Sequence, residues 1–131
     1  MAHIETILYT HLTSDASLAT LVSNRIFPDL MPQNVALPAV RYTLIDRNEL
    51  LAKPEVATFR FVQARYQFDI FAKTYSSAKS IESALVAALY LLGSDVDSSV
   101  VSTRVFNVSG SSDSIEDEYR VTVEAYITYN E

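Results

Sequence analysis

Between Phe59 and Gly93 the polarity of the chain changes period once. Ala64, Tyr66, Phe68 and Ile70 alternate with Gln63, Arg65, Gln67 and Asp69, the pattern of a strand with one buried and one wet face. Ala78, Ile81, Leu85, Ala88, Leu89 and Leu92 then recur every three or four residues, which predicts a helix with one apolar face. Thr74, Ser76 or Ser77 is placed to cap it, and Gly93 to end it in a left-handed conformation. A strand from Ala57 to Phe71 at ~3.3 Å per residue would be ~50 Å long, against a diameter of ~36 Å for a compact chain of this size. One end must therefore bend or protrude. The alternation also slips by one between Phe61 and Val62, which predicts a bulge there.

The helix is apolar on its far side as well, at Val86, Tyr90 and Leu91, and such side chains call for a second covering surface. Either an earlier helix of the same chain or another subunit supplies it. Upstream, Ile4, Ile7, Leu8 and Leu12 mark an amphipathic helix, and Ser14 or Asp15 starts a shorter one carrying Leu18, Leu21 and Val22. Arg25 to Pro28 reads as a short extended piece, and a proline-punctuated connection leads to a strand over Ala39–Ile45 with Val40, Tyr42 and Leu44 inward. Asp46 to Val56 is polar and reads as a loop, anchored by Leu50 and Leu51 or offering them to a partner. Val100–Val108 and Glu118–Tyr129 form a closing hairpin around a serine-rich loop, with Tyr119, Val121, Val123, Ala125 and Ile127 inward. The predicted class is α+β. An antiparallel or mixed sheet of about four strands carries two main helices on one face, in one domain over residues 1–131 with a protruding loop or arm at 46–61.

Charge narrows the function. Sixteen acidic residues against ten Lys and Arg leave a net charge of -6, a field that disfavours sequence-specific or ordinary nucleic-acid binding. The chain has two glycines, so a glycine-rich phosphate cradle is excluded, and no cysteine, so thiol catalysis and Cys-based metal sites are too. No apolar run approaches the ~20 residues of a membrane span, and nothing resembles an export signal.

Catalytic constellations are missing. His3 and His11 are the two imidazoles; eight residues apart, they lie ~12 Å apart along a helix and cannot share a metal. His11 is expected at the core boundary with a hydrogen bond. Asp95 and Asp97 have the spacing of the start of a calcium loop, but Val100 and Phe106 stand where that loop needs glycine and glutamate. Asp113, Glu116, Asp117 and Glu118 form an acidic loop whose carboxylates share one solvated environment, so their pKa values are not driven apart for acid and base roles. The remaining charges of interest are Arg41, Arg65, Asp69, Arg104, Arg120 and Glu124, which alternate outward on their strands. They form either a wet face with weak ion pairs or a contact surface. No cofactor and no enzymatic activity is expected.

Several pieces, in order, carry a family resemblance: the amino-terminal helix followed by Ser14-Asp15-Ala16; Arg25-Ile26-Phe27-Pro28; Pro32; Leu37-Pro38-Ala39-Val40; Tyr66-Gln67-Phe68-Asp69-Ile70-Phe71-Ala72 with Thr74-Tyr75-Ser76-Ser77-Ala78; and Tyr119-Arg120-Val121. Together they resemble the tail-completion or tail-terminator proteins of long-tailed phages and prophages. The chain departs from the pattern at Ala39, where many relatives carry an aromatic, and over Asp46–Ala57, which lacks their glycines. The resemblance implies a ring, commonly sixfold, on the head-proximal end of the tail tube, assembled in the host cytoplasm and carried in the virion. Such a ring stops tube growth and presents a surface to the head-tail connector protein. Its expected partners are other copies of itself, the tail tube protein and the connector. A ring subunit needs two complementary patches, and the candidates are Val86, Tyr90 and Leu91 on one side, and Leu50, Leu51, Phe59 and Phe61 on the other. The alternatives are a neck or head-completion protein and a small-ligand-binding α+β domain.

Overall fold

The computed structural model describes residues 4–52, 60–113 and 118–130. In chain order the elements are α1 (Ile4–Ser14), α2 (Ala16–Val22), β1 (Ile26–Pro28), β2 (Ala39–Ala52), β3 (Arg60–Ala72), α3 (Tyr75–Leu91), β4 (Val100–Asp113) and β5 (Glu118–Asn130). The strands make one sheet in the order β1-β2-β3-β5-β4, with β1 parallel to β2 and every other pair antiparallel. The fold is thus α+β with a mixed sheet of five strands rather than about four. The extra strand is the extended piece at Ile26–Pro28, and α2 adds a third, short helix.

The alternation in β3 organises the core. Val62, Ala64, Tyr66, Phe68, Ile70 and Ala72 are all buried on one face, joined by Val121, Val123, Ala125 and Ile127 of β5. Against this face lie Ile4, Ile7, Leu8 and Leu12 of α1, Leu18 and Val22 of α2, and Ala78, Ile81, Leu85, Ala88 and Leu89 of α3. All three helices sit on this side, and among the described residues the opposite face of the sheet carries no helix. Asp15 caps α2 by accepting from the Leu18 N–H at 3.0 Å, and Thr74 caps α3 by accepting from the Ser77 N–H at 3.1 Å, each satisfying a first-turn donor that the helix leaves unpaired.

Four expectations change. The loop expected from Asp46 onward is strand as far as Ala52, paired with Arg60–Arg65. Its composition hides this because two bulges, between Leu44 and Asp46 and between Glu49 and Leu51, break the alternation. The second of these lies across from Val62 and Phe61, so the phase slip expected in β3 is accommodated in β2; β3 itself pairs with β5 in unbroken register from Phe61 to Ala72. The serine-rich segment is likewise strand through Asp113, held by backbone pairing to Glu118–Thr122. Gly93 does not take a left-handed conformation. α3 ends at Leu91 and Leu92 leaves in an extended conformation, which turns its side chain into the core at 1% exposure. Burying that leucine selects the exit, and glycine's freedom is not used.

Candidate functional site

The helix-free face of the sheet is built from the odd positions of β3 and the even positions of β5. Asp69 stands opposite Arg41 on one side and Thr122 on the other; Phe71 stands next along, opposite Arg120. The Asp69 carboxylate accepts from Arg41 Nη2 and Arg120 Nη2, each at 3.0 Å, from the Thr122 hydroxyl at 3.0 Å, and from the Gln67 amide at 3.2 Å. Both guanidiniums also lie 5.4 Å from the centre of the Phe71 ring, within cation–π range. Under these groups Asp69 is fully buried, though it sits on the side of the sheet that no helix covers. Burial alone would push its pKa up. The hydrogen bonds from Arg41, Arg120 and Thr122, with the charge of Arg120, outweigh that and hold the carboxyl below its usual range.

A second cluster lies further along the same face. Arg65 pairs with Glu124 at 3.2 Å and places its guanidinium 5.2 Å from the Phe106 ring, which stacks on Tyr126 with centroids 4.4 Å apart. Arg104 is exposed and stands opposite Tyr126. The predicted outward charges therefore share one face, with Arg41, Asp69 and Arg120 joined in one group and Arg65 and Glu124 in another. Sequence reasoning missed the aromatic half. Phe71 and Phe106 were both legible as apolar residues at outward positions, each two residues on from an outward charge, Asp69 and Arg104; the β4 bulge between Val105 and Asn107 then brings Asn107 to this face as well.

On the helix side, Val86 is half-buried against the core, while Tyr90 and Leu91 remain 56% and 62% exposed. α1 and α2 pack on α3 without covering this end. The Tyr90 hydroxyl accepts from the Val105 N–H at 3.3 Å and donates to its carbonyl at 3.4 Å, covering one point of the otherwise free edge of β4. On the opposite patch Phe61 is half-buried. The side chains of Leu50 and Leu51 and the whole of Phe59 lie outside the described residues, as do Glu116, Asp117 and the Asp113 side chain. Asp113 and Glu118 are paired strand residues at the base of that hairpin rather than loop.

His11 lies at the core boundary, its ring Nε2 2.6 Å from the Ala88 carbonyl oxygen; His3 lies outside the described residues. Asp97 accepts from the Ser99 N–H at 2.9 Å and hydroxyl at 2.6 Å, which closes a turn and lowers its pKa. Among the described residues no three His, Cys, Asp or Glu side chains come together as metal ligands. Three concavities among the described residues, of about 270 to 320 Å3, are open, at the small end of the range for ligand sites.

What the described residues offer is therefore surface: a sheet face of ion-paired arginines and aromatics, an exposed apolar helix end and the edge of β4. The family model described as "Tail completion protein gp17" matches residues 6–129. The chain belongs to this tail completion family. It is thus a structural protein of a phage-type tail or neck. Among solved structures, it is similar to a chain from "Virion of native gene transfer agent (GTA) particle", with a TM-score of 0.73 and 18% identity over 98% of this chain and 95% of that one. At that identity the likeness speaks for the fold. No curated protein matches the chain.

Proposed function

We propose that this tail completion protein forms a ring that caps the head-proximal end of a tail tube, ends tube polymerisation and offers the surface on which the head connector docks. The family match over residues 6–129 carries this reading. A closed ring needs two different surfaces per subunit. Tyr90, with Leu91 beside it and Val86 behind, lies against β4, whereas Leu50 and Leu51 belong to β2 and Phe61 to β3, so the two patches sit on different strands; Phe59 lies outside the described residues. The mechanism is steric: the ring matches the last ring of the tube on one face and lacks the surface that would recruit another. A net charge of -6 suits a lumen through which DNA passes without adhering. The test is solution mass by light scattering across a concentration series, with and without tail tubes prepared without this protein. Ring-sized particles, or recruitment to tube ends that stops their growth, support the reading. A concentration-independent monomer that ignores tube ends would refute it.

A further inference from the structure

Where the first turns of α3 pass over the end of β4 and β5, Tyr75 and Lys79 face Gly110, Tyr119, Arg120 and Val121 across an open pocket of about 300 Å3. Tyr75 and Tyr119 meet edge to face at 6.2 Å and form one wall. Gly110 is unusual in a chain with two glycines. Its φ is not in the left-handed region, and a Cβ there would meet nothing nearer than the Arg120 carbonyl oxygen at 3.9 Å. Neither backbone conformation nor internal packing asks for glycine, and a glycine inside a strand then marks a place where something else approaches closely.

At the other edge of the sheet, just past β1, Leu30 is 80% exposed, the most exposed large apolar side chain among the described residues. It is held there by a tight turn: Asp29 takes a φ of 64°, its N–H bonds to the Tyr42 carbonyl at 2.7 Å, and the Leu30 N–H bonds to the Pro28 carbonyl at 2.7 Å. A pinned turn presents its side chain with little entropy left to lose on binding. We propose that Leu30 of one copy seats in the Gly110 pocket of the next copy, with Asp29 brought beside Lys79 at the pocket wall. The inference rests on the ring reading above and names its contact. Knob and pocket lie at opposite edges, β1 and β4, so one copy uses both at once and the contact propagates head to tail, as a ring requires.

Gly110→Val puts a branched side chain into the pocket and leaves Leu30 free; Leu30→Asp removes the knob and leaves the pocket open. Each alone should lose ring formation by at least ~10-fold in concentration while melting close to wild type. Mixed, they should give a 1:1 dimer and nothing larger, because one supplies an intact knob and the other an intact pocket. If Gly110→Val does not fold, Gly110→Ala, whose added atom has clearance, should still weaken assembly and pair with Leu30→Asp. Variants that form rings as wild type does would overturn this contact and leave the ring reading standing. Rings that form normally yet fail to hold tube ends would assign the pocket to the tube protein and also overturn it. A wild type that stays monomeric on tube ends would overturn both.

Discussion

Replacing Asp69 by Asn keeps the shape of the side chain and removes its charge. In the wild type, two arginines and a threonine donate to a carboxylate with 1% side-chain exposure. Charge-assisted bonds are about twice as strong as neutral ones, and an amide also turns a donor toward groups that themselves donate. The arginine side chains are 30% and 40% exposed, so they recover hydration, and the loss is discounted from the ~3–5 kcal/mol of a fully buried broken pair to ~2–3 kcal/mol. With ~2.1 cal/mol/K of unfolding entropy per residue, 131 residues carry ~0.28 kcal/mol/K, so Tm should fall by ~7–11 °C near neutral pH. The pH dependence follows from the sign of the shift. The folded pKa is depressed, so the stabilisation is complete above the unfolded carboxyl value near ~3.9 and disappears as pH falls through the folded pKa. The gap between wild type and Asp69→Asn should therefore be constant from pH 7 to about 5 and narrow in acid. Calorimetry across that range measures it. A Tm within a degree of wild type, or a gap that does not narrow in acid, would refute the reasoning.

Three further outcomes are expected. Burial, with the nearby Glu5 and Tyr9, raises the Tyr42 phenol to about 12, and burial raises Tyr66 as well; their contribution to stability is complete below the unfolded phenol value near ~10 and is lost as pH rises through the raised folded values, so phenolate absorbance from both should appear late and together with loss of helical circular dichroism. Thr74→Ala removes the cap of α3 and should cost ~1 kcal/mol, read as a lower urea midpoint at unchanged slope. Leu91→Asp alters an exposed side chain and should shift monomer stability by no more than ~0.5 kcal/mol while raising the concentration needed for self-association; an unfolded variant would place Leu91 in the core and remove it from the contact surface.

The sequence was most legible where one physical demand acted alone. The even positions of β3 and the apolar stripe of α3 answer only to burial, and both families of predicted core residues are buried. It was least legible where a partner decides conformation. Asp46–Glu49 and Ser109–Asp113 carry no large apolar side chain and are strands because β3 and β5 offer them backbone partners. Bulges compound this, since one extra residue reverses the parity on which alternation rests. The outward charges could be assigned to a face but not to each other, because the pairing of Arg41 with Asp69 and of Arg65 with Glu124 depends on strand order. Strand order is set by packing across β1-β2-β3-β5-β4 and leaves no local trace.

Asp69 also bears on how the sheet rejects errors. It sits on the central strand between Phe68 and Ile70, which point the other way and have no exposure. A one-residue slip of β3 would exchange the two faces, sending the carboxylate under the helices, away from both arginines, and bringing Phe68 and Ile70 into water. Its native partners come from the strands on both sides, Arg41 from β2 and Arg120 and Thr122 from β5, so mispairing on either flank loses part of the same cluster. An uncompensated buried carboxylate costs several kcal/mol. One side chain thus separates the correct alignment of three strands from its nearest competitors by more than it contributes to the native state.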